Sequence, residues 1–261
     1  PYVRAIRPHQ WAKNLLVFLP AMVGHTFTAG ADLVAAAIAF LCFSFAASSA
    51  YVLNDLLDLN HDRAHPTKHR RPFAAGLIPV KHGLVMSFVL IAAAIGLAAT
   101  ALPPDFLVIL AAYYALTLAY SVYLKRKIIV DVLTLGALYS IRVLGGVAAI
   151  GAPSSNWLLM FSLFLFLCLA ICKRYTERVE REVAGAAPPS GRGYRFIDKS
   201  ALLVVGTVAG MMSVLVVALY MSSQQVMMLY SRPDLLWLIC LVQTYWVARI
   251  IMISNRGELH E

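Results

Sequence analysis

The chain has 261 residues, 61% of them apolar and only 13% charged, with a mean hydropathy of +0.75 and a formal net charge of +9. A soluble domain carries roughly 45–50% apolar and about 25% charged residues, so disorder, a disulfide scaffold and a soluble enzyme with a polar skin are excluded. The composition reads as an all-α, polytopic membrane bundle, a single domain over residues 1–261.

The chain opens at Pro1 with no signal-peptide pattern, and that start reads as a fragment or a processed chain. The first tract, Arg7-Pro8-His9-Gln10-Trp11-Ala12-Lys13-Asn14, places Trp11 as an aromatic-belt anchor. Lys13 either anchors the chain or reaches for a ligand. Charge-free intervals then run over 14–31, 33–54, 83–104 and 106–124, each 18–22 residues long. About 20 residues carry one helix across the hydrocarbon core. A fifth interval, 132–172, holds one charge, Arg142, and breaks at Gly151-Ala152-Pro153-Ser154 into two helices. Residues 200–231 supply a seventh span and 235–254 an eighth, with Arg249 able to snorkel. Eight spans are expected.

With both ends on the cytosolic side, 20 of the 22 Lys and Arg fall in cytosolic segments, leaving Arg232 outside and Arg142 within the membrane. The positive-inside rule predicts this asymmetry, and it accounts for a pI near 9.5 without nucleic acid. The active face is expected towards the cytosol, and the location is expected to be a cytoplasmic (inner) membrane. Cys42, Cys168, Cys172 and Cys240 all lie in spans and read as small packing residues. Two cytosolic connections are long, 55–82 and 173–199, and the second contains a flexible turn over 186–191.

The first long loop opens with acids. If the second helix continues, Asn54, Asp58 and Asp62 recur at i, i+4, i+8 on one face, flanked by Asp55. Like charges at that spacing repel. Either nearby Arg63 and Lys68 compensate them, or a divalent cation does. Magnesium suits the second reading, because it takes one or two carboxylates together with phosphate oxygens and water. The basic run Arg63-Ala64-His65-Pro66-Thr67-Lys68-His69-Arg70-Arg71-Pro72 follows directly, with Lys68, Arg70 and Arg71 able to grip phosphates. His61, His65 and His69 share a spacing of four, but Pro66 interrupts the helix that would align them as a zinc site.

Arg142 is costly in mid-membrane, roughly 2.5–3.5 kcal/mol on insertion scales. It calls for an anion: a bound phosphate, or else a buried salt bridge or amide contact. Asp131, eleven residues away, stands about 16 Å off at helical rise. At the exit of the sixth span lie Lys173, Arg174 and Tyr175, followed by Glu177.

The signature Asn54-x3-Asp58-x3-Asp62, followed by Arg71-Pro72-Phe73-Ala74-Ala75-Gly76, resembles the UbiA superfamily of intramembrane prenyltransferases over essentially the whole chain. That resemblance implies nine helices around a central cavity, a diphosphate bound through Mg2+ at two acidic motifs, and lateral opening to lipid. A ninth span would then lie beyond Glu261, and the chain reads as truncated at its C-terminus. The second acidic motif is replaced here by Lys173, Arg174, Tyr175 and Glu177. With Lys13, the tract from His65 to Lys68, Asp131 and Arg142, the pattern is more similar to the decaprenyl-phosphate phosphoribosyltransferase branch. The branch implies transfer of 5-phosphoribose from phosphoribosyl diphosphate to a polyprenyl phosphate, early in the supply of arabinofuranose donors for cell-wall polymers. On that footing Asn54, Asp58 and Asp62 are the catalytic residues. The metal set is Asn54, Asp55, Asp58 and Asp62. The substrate-binding set is Lys13, Lys68, Arg70, Arg71, Arg142, Lys173, Arg174 and Tyr175. A fused or partner haloacid-dehalogenase-like phosphatase domain is a further expectation. The competing readings are an aromatic prenyltransferase using a prenyl diphosphate, and a non-enzymatic anion or lipid transporter.

Overall fold

The computed structural model describes residues 1–24, 30–65, 67–153, 155–183, 196–224, 226 and 232–259. Among these residues the regular structure is helical. Seven helices are long and apolar enough to cross a membrane. The chain divides into two compact units, Pro1–Val122 with Ile141–Ser154, and Tyr123–Ser140 with Ser155–Glu261.

The first unit opens with the short helix α1 (Tyr2–Ile6), a 3-10 segment (Pro8–Phe18) and α2 (Leu19–Val23). Then come α3 (Gly30–Leu57), α4 (Leu59–Ala64), α5 (Val80–Ala101), α6 (Pro104–Val122) and the second half of α7 (Val130–Ile150). The expected first span is therefore not one continuous α-helix. Side chains eclipse at i, i+3 in a 3-10 helix, so Trp11, Asn14 and Val17 form one row. Trp11 Nε1 donates to Ser48 Oγ at 2.9 Å and Asn14 Nδ2 to Ser44 Oγ at 3.0 Å. Val17 and Pro20 are buried. Trp11 thus ties the segment to α3 as well as having the amphipathic character of an interface residue. Laid end to end, the 3-10 segment at about 2.0 Å per residue and α2 at about 1.5 Å reach roughly 30 Å, the thickness of the hydrocarbon core.

Helix α3 is the axis of this unit and packs on α5, the 3-10 segment, α6 and α1. Its buried face is rich in small residues, among them Ala36, Ala39, Ala46, Ala47 and Ala50. Small residues let helices approach closely where no hydrophobic effect drives them together. Ser49 Oγ joins Ser87 Oγ at 2.8 Å and Tyr114 OH at 2.9 Å, linking α3 to α5 and α6. Gly146 of α7 lies so close to the 3-10 segment that a Cβ there would stand 2.1 Å from the Val17 carbonyl oxygen.

In the second unit, α8 (Asn156–Val183) packs along α9 (Lys199–Met221), and α10 (Trp237–Asn255) packs on both. Val132, Ala170, Ile171, Tyr175, Val179 and Leu202 form its core. Cys168 and Cys172 sit buried beside Ala209, as the packing role expected of them requires. Helix α8 continues eleven residues past the expected exit at Cys172, so Lys173, Arg174 and Tyr175 are helical rather than in a loop. The turn expected over 186–191 lies outside the described residues. Exposed Leu238, Leu241 and Val242 on α10, and Val85, Phe88 and Val89 on α5, offer faces of the kind that meets lipid.

Candidate functional site

The last turn of α3 carries Asn54 and Asp55, and Asp58 sits at the junction with α4 (φ −91°, ψ 9°). The backbone ladder survives the break. Asp58 N–H donates to the Asn54 carbonyl at 2.9 Å and Asp62 N–H to the Asp58 carbonyl at 2.8 Å. Asn54, Asp58 and Asp62 therefore keep the i, i+4, i+8 register expected of them. Asn54 and Asp58 are half-buried, while Asp55 and Asp62 are only 2% and 3% exposed.

Arg7 and Arg71 meet Asp55 and Asp62. Arg7 is a non-glycine residue at φ 52°, a left-handed conformation uncommon for its type. Its Nη2 donates to both oxygens of Asp55, at 2.7 and 2.9 Å. Arg71 Nη1 bridges Asp55 Oδ1 at 3.1 Å and Asp62 Oδ2 at 2.7 Å. This corrects one sequence expectation. The ion pairs at Asp55 and Asp62 go to Arg7 and Arg71 rather than to Arg63 and Lys68. Asp55, expected among the metal ligands, faces the Arg7 and Arg71 guanidinium groups.

Among the described residues, no three carboxylate, imidazole or thiol groups converge as a metal cage. The acids do not need to form one. Magnesium is often held by one or two carboxylates, with the remaining positions filled by water and phosphate oxygens. Asn54, Asp58 and Asp62 supply a donor set of that chemistry, one amide and two carboxylates on one helical stripe.

Beside this stripe lies an open cavity of about 480 Å³ lined by Val3, Arg4, Arg7, Pro8, His9, Asp55, Thr67, Lys68, Arg70, Arg71 and Pro72. Five arginine or lysine side chains and one histidine face a single carboxylate there. The expected phosphate-binding residues Lys68, Arg70 and Arg71 are thus brought together. Arg4, Arg7, His9 and Thr67 were not expected. Arg4 and Arg7, three residues apart, count equally well as positive-inside anchors, and only the fold turns them inward.

Elsewhere in the first unit, Arg142 is 5% exposed. Its Nε donates to Asn14 Oδ1 at 2.7 Å and its Nη2 to Tyr113 OH at 2.9 Å, and its guanidinium lies 4.8 Å from the Tyr113 ring centroid. Of the alternatives open for Arg142, the amide contact is present. Lys13 is half-buried nearby.

In the second unit, Asp131 is fully buried and accepts from Arg174 Nε at 2.8 Å. Arg174 Nη1 also donates to both oxygens of Glu177, at 2.9 and 3.0 Å. Tyr175 is 3% exposed in the apolar core, and its hydroxyl donates to Asn255 Oδ1 at 2.6 Å. Arg174 and Tyr175, expected to bind substrate, thus have partners within the unit. Lys173 is half-buried.

Residues 17–188 match the model of the UbiA prenyltransferase family. The chain belongs to that family and is a multi-pass membrane protein. It is 36% identical to an uncharacterized protein, y4nM, of Sinorhizobium fredii over 100% of this chain and 50% of that one. It is 34% identical to nodulation protein NoeC of Azorhizobium caulinodans, over 99% of this chain and 83% of the relative. Decaprenyl-phosphate phosphoribosyltransferase of Mycobacterium tuberculosis is 36% identical over 71% of this chain and 62% of its own length. The chain thus spans between half and about four-fifths of these relatives. Among solved structures, a UbiA homolog from Archaeoglobus fulgidus bound to DMAPP and Mg2+ superposes with a TM-score of 0.75 at 20% identity. That match covers 98% of this chain and 87% of the other. It shows the same fold.

Proposed function

We propose that the chain is the membrane part of an enzyme transferring 5-phosphoribose from phosphoribosyl diphosphate to a polyprenyl phosphate, releasing diphosphate. One observation carries the reading. The cavity beside the Asn54, Asp58, Asp62 stripe gathers Arg4, Arg7, Lys68, Arg70 and Arg71. A donor with both a diphosphate and a 5-phosphate needs such a cluster more than an allylic diphosphate does. The identity to a decaprenyl-phosphate phosphoribosyltransferase supports it.

The donor breaks its C1–diphosphate bond with oxocarbenium character, and a phosphate oxygen of the acceptor attacks from the opposite face, inverting C1. The acceptor is already an anion, so no general base is required. The protein's task is to position two anions and to stabilise the charge that develops on the leaving diphosphate. Lys68, Arg70 and Arg71 clamp the donor phosphates, and Arg4 and Arg7 close the other wall. Asn54, Asp58 and Asp62 would hold Mg2+, which when bound offsets the diphosphate charge. Lys13 is assigned to a remaining phosphate. Arg142 acts through Asn14 and Tyr113 to hold the 3-10 segment in place, and Arg174 and Tyr175 shape the second unit.

The test supplies membranes carrying the protein with Mg2+, labelled phosphoribosyl diphosphate and a polyprenyl phosphate. Label should enter the lipid phase, and Asp58→Asn should abolish the transfer while leaving the protein folded. Turnover of a geranyl-type diphosphate on hydroxybenzoate, with no ribosyl transfer, refutes the reading. So does near-normal activity of Asp58→Asn.

A further inference from the structure

A second concavity lies in the second unit, on the link that joins α6 to α7. It encloses about 560 Å³ and is lined by Tyr123, Leu124, Arg126, Lys127, Ile128 and Val130. Its composition is unusual for a tight connection. Tyr123 is 57% exposed and Ile128 49%, and apart from the Tyr123 hydroxyl neither offers a polar group to water. Interleaved with them are the exposed cations Arg126 and Lys127, the latter 4.9 Å from the Tyr123 ring centroid. Among the described residues, neither Arg126 nor Lys127 forms an ion pair. The carboxylate just beyond, Asp131, is fully buried and engaged by Arg174.

The backbone holds this arrangement open. A single 3-10 turn, Leu124–Arg126, leads into extended Lys127, and Ile129 sits at φ 67°. That conformation is a genuine outlier for a β-branched residue. The first amides of α7 are already taken: Asp131 N–H donates to Lys127 and Leu133 N–H to Ile129. Any attraction for an anion therefore comes from the two side-chain cations and not from the helix end. The link also joins two helices long and apolar enough to cross a membrane, so it lies at a membrane boundary.

We infer that Tyr123–Val130 is a docking site for a membrane lipid with a terminal phosphate. Arg126 and Lys127 meet the headgroup, and Tyr123, Ile128 and Val130 pack on the first methylenes of its chain. Charge complementarity selects the anion, and the apolar wall selects a lipid over free phosphate, which could use the cations alone. The inference does not depend on the transfer reaction proposed above, because it concerns binding only.

The test places the full chain in phosphatidylcholine nanodiscs doped with phosphatidic acid and measures bound phosphatidate by native mass spectrometry. Near a membrane surface each cation is worth roughly fivefold in affinity, so Arg126→Gln/Lys127→Gln should weaken binding about thirty-fold. The control, Lys81→Gln/Arg256→Gln, removes the same charge from two other exposed positions and should bind as the unaltered protein does. Ile128→Ser should weaken phosphatidate binding with both cations intact. An equal loss in the two double variants would mean generic surface attraction and overturns the site. Competition by inorganic phosphate at the affinity of the lipid would overturn it too, as would a second copy of the chain recovered in place of lipid. If the double variant does not fold, Lys127→Gln alone should still bind about fivefold more weakly, and unchanged binding refutes the inference.

Discussion

Arg71 bridges two nearly buried carboxylates, at 3.1 Å to Asp55 and 2.7 Å to Asp62. Truncating it to alanine leaves the two acids in unequal positions. Asp55 keeps the two contacts from Arg7, whereas Asp62, only 3% exposed, loses a charge-assisted hydrogen bond. Removing one partner of a fully buried pair costs about 3–5 kcal/mol. The Arg71 side chain is 26% exposed, so solvent takes up part of that loss and about 2–3 kcal/mol is expected. For a chain of this size, 1 kcal/mol moves Tm by roughly 2–4 °C, which predicts a fall of about 4–12 °C for Arg71→Ala in detergent. Asp62→Asn should be less stable by a similar amount. The double variant should cost clearly less than the sum, with a coupling of about 1–3 kcal/mol. Arg71→Lys should recover part of the loss, since a single ammonium cannot reproduce a guanidinium that spans two carboxylates. Additive losses, or an Arg71→Ala protein as stable as the original, would refute the bridge.

Gly146→Ala would push a Cβ to 2.1 Å from the Val17 carbonyl oxygen, and a backbone neighbour cannot step aside. A loss of about 3 kcal/mol is expected by denaturation. Gly96→Ala on α5, with nothing within 4 Å, should instead gain about 0.5–1 kcal/mol. Asp131→Asn leaves buried Arg174 with Glu177, which is itself 29% exposed, and should cost about 3 kcal/mol, read as a lowered unfolding midpoint. Lys13→Ala should weaken donor binding measured with Mg2+ present, and unchanged binding would remove Lys13 from the site.

Much of this molecule was legible in one dimension because lipid imposes its rules residue by residue. A charge-free stretch of about 20 residues must close its own backbone hydrogen bonds, so α3, α5, α6, α7, α8 and α9 could be placed from composition alone. The Asn54, Asp58, Asp62 stripe needed only helical periodicity, and the backbone ladder across Asp58 preserves it. What composition could not show was which cation would meet which acid. Arg7 and Asp55 are 48 residues apart, and Arg174 and Asp131 are 43 apart. Arg142 finds Asn14 across 128 residues. The first interval looked like another span because its apolar content is right. Its period of three, matching Ser44 and Ser48 on α3, emerges only when the two segments are laid together. Hydropathy is a property of each residue and can be summed along the chain, whereas an ion pair or a close helix contact belongs to two distant residues and exists only once the tertiary fold has brought them together.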